Sequence, residues 1–227
     1  MNTHTVRLIA LASLIVACKA PETARATTTP DSTAAKSSVE RNPANDPMVA
    51  HADSARIRGS SSAKLWLIVA SDFQCPYCKM WHDSSDATIR RDYVDNGKVR
   101  LAYINYPIST HQNAVPAAEY AMCAAAQNKF WEMHDALFAS QDTWAPLPDP
   151  KPKLDDVAKS VGLDMTALQA CVASHKMVPL IEADHARAAR SGVRATPSFV
   201  VGTQLLEGVI PTAELRKALD AALDNTK

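Results

Sequence analysis

Two cysteines, Cys75 and Cys78, stand three positions apart in the run Phe73-Gln74-Cys75-Pro76-Tyr77-Cys78. Thiols one helical turn apart can trade a disulfide with another molecule. One sulfur attacks as thiolate, and the other resolves the mixed disulfide. The same pair can supply half of a zinc site, with His82 four residues on as a third ligand, or form a purely structural disulfide. Structural zinc takes four ligands. No second Cys-x-x-Cys or close His pair accompanies this one, and the histidines at 4, 51, 82, 111, 134, 175 and 185 lack metalloprotease spacing. The favoured reading is a redox pair that carries its own electrons, with no metal and no external cofactor. His82 then reads as a solvated helix residue and His134 as a core or surface one.

The surrounding elements decide how such a pair behaves. Leu65–Ser71 (LWLIVAS) is a short apolar run that reads as a buried strand, and residues 78–93 read as a helix ending before Asn96-Gly97. That context puts Cys75 at a helix start, where unpaired N–H groups and the helix dipole favour thiolate over thiol. Pro76 suits the first helical turn, which needs no donor from it. Pro76 and Tyr77 are expected to tune the redox potential. Phe73, Tyr77 and Trp81 flank the pair, either as packing or as an apolar rim for unfolded substrate.

Residues 99–106 (VRLAYINY) read as a second strand, parallel to the first across the helix. Residues 198–201 and 204–207 read as an antiparallel hairpin with a turn at Gly208, and a last helix runs from Pro211 with Leu215, Leu219 and Leu223 on one face. Residues 107–195 between them are mostly helical in pattern, with candidates at 114–126, 128–140, 157–161, 167–172 and 178–191. The fold class is α/β: a mixed central sheet with a helical insertion between its two halves.

Lys+Arg and Asp+Glu are both 24, a balance that argues against a nucleic-acid surface. Residues 8–17 (LIALASLIVA) follow Arg7 and rise about 15 Å as a helix, too short to span a bilayer but suited to the core of a secretory signal. The stretch ends in Ile15-Val16-Ala17-Cys18, which resembles the bacterial lipobox. Residues 1–17 are then a lipoprotein signal peptide and Cys18 the lipid attachment site; the alternative is a plain secretory signal with an incidental cysteine. Lys19 after the Cys resembles outer-membrane lipoproteins. Residues 19–50 hold seven Ala, five Thr, four Pro and three Ser, too little apolar surface to offset ordering entropy. Residues 18–57 therefore read as a disordered tether and 58–227 as the folded domain, on the periplasmic side of the cell envelope.

Asp72-Phe73-Gln74-Cys75-Pro76-Tyr77-Cys78 and, far downstream, Gly192-Val193-Arg194-Ala195-Thr196-Pro197-Ser198-Phe199 together resemble the DsbA-like branch of the thioredoxin superfamily. The resemblance covers about residues 58–226. It implies a thioredoxin fold, with Cys75 as nucleophile, Cys78 as resolving thiol, a cis Pro197 against the sulfurs, and Thr196 offering backbone groups to an extended substrate. It implies partners too: thiols and disulfides of exported proteins, and a membrane redox protein that recycles the enzyme. Many relatives carry a buried acid six positions before the first active-site Cys. Here that position is Val69, leaving Asp72 as a partial substitute or a solvated loop residue. Family members with a second disulfide, and the odd count of five cysteines, imply that Cys123 and Cys171 bridge; two buried free thiols are the alternative.

The expected activity is that of a protein-disulfide oxidoreductase, acting as oxidase and as a monomer. An envelope reductase or isomerase is the alternative direction. A chaperone-like or metal-binding protein on the same fold is the alternative class.

Overall fold

A computed structural model describes residues 46–226. The expected signal peptide, Cys18 and most of the expected tether lie outside the described residues.

The folded part begins sooner than expected. Pro47–Ala55 forms a helix, α1, capped by the Asp46 carboxylate accepting from the Met48 N–H at 2.9 Å. Val49 and Ala52 on its inner face are 4 % and 0 % exposed. The folded body therefore takes in residues 47–57, which composition alone assigned to the tether. Its hold is partly ionic. Arg56, just past α1, is buried and pairs with Asp184, which is fully buried, and it also donates to the Tyr103 carbonyl at 3.1 Å. Asp184 further accepts from the backbone and side-chain N–H groups of Asn105. Removing one member of a buried ion pair leaves the other charge uncompensated, at a cost of roughly 3–5 kcal/mol. Asp184→Ala should lower the unfolding free energy by that amount, read as a lower denaturant midpoint at an unchanged slope, whereas a change within a few tenths of a kcal/mol would show that the pair does not fasten α1.

After β1 (Ile57–Arg58) come β2 (Leu65–Ser71), α2 (Pro76–Trp81), a π-helical turn (His82–Asp86), α3 (Ala87–Ile89), a second π-helical turn (Arg90–Val94) and β3 (Val99–Asn105). The helical insertion supplies α4 (Ala114–Ala125), α5 (Phe130–Ala139), α6 (Gln141–Trp144), α7 (Lys151–Ser160), α8 (Met165–Ser174) and α9 (Val178–Arg190). The chain closes with β4 (Ser198–Val201), β5 (Gln204–Glu207) and α10 (Thr212–Asp224). The sheet order is β1-β3-β2-β4-β5, with β2 and β3 parallel and every other pair antiparallel. The turn of the β4–β5 hairpin falls at Gly202-Thr203 rather than at Gly208, because Gly202 takes the positive φ of 61° that a two-residue turn requires. Gly59 is needed for space as well as for its φ of 102°: a Cβ there would lie 2.6 Å from the Val99 carbonyl oxygen.

Alternation explains β3, where Val99, Leu101, Tyr103 and Asn105 are buried and the residues between them only half so. One face of the sheet packs Leu65, Leu67, Val69, Phe199 and Val201 against Trp81, Ile89, Leu215 and Leu219. Phe73 and Tyr103 join a second core, built mostly by the insertion. Within that core Cys123 of α4 and Cys171 of α8 are joined by a disulfide. The closed loop of 48 residues is worth about 4 kcal/mol in the chain-entropy model. A Cys123→Ala/Cys171→Ala double variant should lose roughly that much stability by denaturant titration while keeping its far-ultraviolet spectrum; no loss would mean that the bridge constrains nothing in the unfolded chain.

Candidate active site

β2 ends at Ser71, and the chain must turn sharply to enter α2 with Cys75 at the N-cap. Asp72 makes that turn. Its backbone carbonyl accepts from Cys75 N–H at 3.1 Å and its carboxylate from Gln74 N–H at 2.7 Å. The other carboxylate oxygen accepts from Ile108 N–H at 2.9 Å and His111 Nδ1 at 2.6 Å. Asp72 is thus a buried latch rather than a solvated loop residue, and burial pushes its carboxyl pKa up against those bonds. The carboxylate is spent on these donors; the group that meets the redox pair is the Asp72 backbone N–H, 3.5 Å from Cys78 Sγ. A second clamp comes from the insertion. Gln141 Nε2 donates to the carbonyls of Phe73 at 2.6 Å and Cys75 at 3.1 Å, and Gln74 is tied to Asn113 and Ala145. Sequence reasoning missed His111, Asn113 and Gln141. Polar residues in a long insertion carry no local mark of the distant loop they hold.

Cys75 and Cys78 come together as expected, with different environments. Cys75 has an extended backbone at the N-cap, φ −70° and ψ 123°. A hydrogen bond from the Cys78 thiol does most to pull the Cys75 pKa down to about 6, against the opposing effect of burial. The Thr196 side chain and the N–H groups of Cys78 and Tyr77 at the helix start add to it, without an aligned cap bond. The helix end therefore contributes less than its partner thiol does. Cys78 is 1 % exposed, and burial, followed by the neighbouring Cys75 sulfur, pushes its pKa well up. One sulfur is an anion near neutral pH, and the other keeps its proton.

The Thr196-Pro197 peptide bond is cis, and Cys75 Sγ lies 3.6 Å from the Thr196 carbonyl oxygen. The loop expected to face the sulfurs does so. Of the flanking aromatic residues, Phe73 and Trp81 are core, stacked on Tyr103 and tilted against Phe199 respectively. The exposed apolar rim is Tyr77 with Met80, 59 % and 53 % exposed. Val69 is buried in the sheet opposite Tyr103, whose phenol burial keeps protonated. No carboxylate occupies the place where DsbA-like proteins carry one. His82 pairs with Asp83 and Asp135, not with the cysteines, so the zinc half-site does not assemble.

A family model described as Thioredoxin matches residues 51–221. The chain belongs to this thioredoxin family. Among curated relatives, the chain is 31 % identical over 176 residues to Na(+)/H(+) antiporter NhaA 3 of Salinispora tropica, covering 77 % of this chain and 26 % of that one. It therefore spans about a quarter of the length of the antiporters it matches. It is 27 % identical to a probable disulfide bond formation protein D of Bacillus anthracis, over 73 % of this chain and 76 % of the relative. Among solved structures, BdbD of Bacillus subtilis in its oxidised form superposes with a TM-score of 0.67 at 21 % identity, covering 74 % of this chain and 92 % of that one. The fold is that of the DsbA and BdbD members of the thioredoxin family, helical insertion included. No helix among the described residues is long and apolar enough to cross a membrane.

Proposed function

We propose that this thioredoxin-family chain is a protein-disulfide oxidoreductase that donates disulfides to exported proteins. The observation that carries the reading is the asymmetry of the pair: an acidic Cys75 sulfur beside the cis-Pro197 loop and a buried, weakly acidic Cys78. A client thiolate attacks Cys75 Sγ of the Cys75–Cys78 disulfide. The client–Cys75 bond forms, the Cys75–Cys78 bond breaks, and Cys78 leaves with the electron pair and takes up a proton. A second client thiolate then attacks the client sulfur of that mixed disulfide and expels Cys75. Two electrons pass to the enzyme, and the client gains one disulfide. Cys75 is a good final leaving group because its thiolate is stabilised. Thr196 presents backbone groups to an extended client segment, and Tyr77 and Met80 give it an apolar edge.

Stabilising the reduced form makes the couple more oxidising. A Cys75 pKa of about 6 against an ordinary 9.0 favours the reduced state by about 1–2 kcal/mol at pH 7, or about 30 mV. Lipidation at Cys18 would hold the domain at the envelope membrane, where a membrane redox protein reoxidises the dithiol and the chain acts as a monomer. The test is equilibration with glutathione redox buffers, followed by incubation of the oxidised chain with a reduced, unfolded model protein. An oxidase equilibrates near the potentials of oxidising thioredoxin-fold proteins and forms disulfides stoichiometrically. A potential at or below that of thioredoxin, about −270 mV, would assign the reducing direction instead. No exchange at all would remove the enzyme reading.

A further inference from the structure

A second group of chemically capable side chains lies on the helix that leaves the redox pair. His82 and Asp86 stand at the two ends of the π-helical turn His82–Asp86, and α5 brings His134 and Asp135 against them. One ligand atom from each of the four lies within 4.8 Å of all the others. Asp135 Oδ1 is 3.4 Å from His82 Nε2 and 2.8 Å from His134 Nδ1. Donors about 2.0–2.2 Å from a tetrahedral metal ion are separated by about 3.3–3.6 Å, so small side-chain rotations close the set.

The charges point the same way. Two carboxylates face two imidazoles, and the Asp86 side chain is 2 % exposed. Its Oδ2 lies 2.8 Å from the Arg90 guanidinium, yet it is out of line for a hydrogen bond and has no other partner among the described residues. Arg90 also holds Asp135, at 2.9 and 3.0 Å. The cluster is thus built around a cation, and one of its buried oxygens is only loosely satisfied by the cation present. π-Helical turns are rare and occur often at functional sites. This one sits at the cluster itself. The rings are held in place: His82 stacks on Phe138 at 5.0 Å, and His134 lies edge-on to Phe73 and Phe138. Asp135 opens onto a surface hollow of about 410 Å³, lined also by Ile57, Arg58, Asn128, Trp131 and Glu132, which gives an ion a way in.

We propose that His82, Asp86, His134 and Asp135 form a binding site for a borderline divalent transition-metal ion of the zinc and cobalt class. Two nitrogen and two oxygen donors suit these ions, whereas calcium and magnesium take oxygen alone. On binding, the ion takes over Asp86 and one oxygen of Asp135, and Arg90 keeps the other. The site is separate from the thiols, and its test is made with the Cys75–Cys78 pair oxidised, so it stands or falls apart from the redox reading.

The test uses the full, untagged chain with its disulfides formed and any remaining thiol blocked by N-ethylmaleimide. Cobalt(II) is titrated in, and the visible absorption of tetrahedral cobalt is followed. One equivalent should bind. Zinc should bleach the band, and excess calcium or magnesium should leave it unchanged. His82→Gln and Asp135→Asn alter partly exposed side chains, so the fold should persist by near-ultraviolet circular dichroism. Each should weaken cobalt binding about tenfold or more. Absence of a tetrahedral band at one equivalent overturns the site, and so does a band of undiminished affinity in Asp135→Asn.

Discussion

Reduced Cys78→Ala chain mixed with glutathione disulfide should take up one glutathione on Cys75 and keep it. Cys75 remains a thiolate nucleophile, but the thiol that would expel the bound partner is gone. Cys78 is 1 % exposed beneath Cys75, so the substitution removes little more than the sulfur. The unaltered chain passes through the same adduct and resolves it within the molecule, so its adduct stays scarce. Intact mass spectrometry reads the difference directly. Disulfide transfer to a reduced client should fall to background in both Cys75→Ser and Cys78→Ala, since neither variant can form the Cys75–Cys78 disulfide. An adduct mapped to any other cysteine, or none in Cys78→Ala, would falsify the assignment of Cys75 as nucleophile. The Cys78→Ala variant has a second consequence. The Cys78 thiol is the largest influence lowering the Cys75 pKa, so its loss should move that pKa upward.

Alkylation of the reduced chain by iodoacetamide should reach half its maximal rate near pH 6 and level off by about pH 8. The midpoint, rather than the plateau, carries the information, because a more acidic thiolate is intrinsically less nucleophilic. The same ionisation bears on folding. Cys75 titrates at about 6 in the folded reduced state and at its ordinary 9.0 when unfolded. A depressed acid pKa adds stability that is complete above the unfolded value and is lost as pH falls through the folded one. The reduced form should therefore lose roughly 2–3 kcal/mol between pH 8 and pH 5 through this group. Cys78 contributes nothing in that window, being protonated in both states. The oxidised form has no such group to titrate, so the reduced midpoint should fall relative to the oxidised one on acidification. A gap between the two midpoints that stays constant from pH 8 to pH 5 would mean that the Cys75 sulfur is not specially stabilised as an anion.

What could be read from the residues, and what could not, divides along sequence distance. β2 and β4 were legible because apolar runs bounded by Gly, Pro and polar residues report a buried strand locally, and β5 because it follows β4 across Gly202. The pairing of Cys75 with the Thr196-Pro197 loop, 121 residues apart, was legible through motif resemblance rather than through pattern. α1 was hidden. Its residues have tether-like composition, and its stability comes from Val49, Ala52 and an Arg56 whose partner lies 128 positions away. Asp72 was misjudged for the same reason: a carboxylate in a polar loop looks solvated until Ile108 and His111 are folded over it. His82, four residues after Cys78, read as a solvated helix residue, with a ligand beside the thiols as the alternative. The winding of the helix turns it instead to Asp135 of α5.

Arg56 also says where this protein can be cut. A shortened chain starting at Arg58, the point that amino-acid composition suggests, would leave the carboxylate of Asp184 and the carbonyl of Tyr103 facing a hole where a guanidinium belongs. A piece that keeps α1, its cap and the Arg56–Asp184 pair begins at or before Asp46. Under the proposed anchoring at Cys18, the span between anchor and folded body would be counted to Asp46, shorter by the length of α1 than composition suggests.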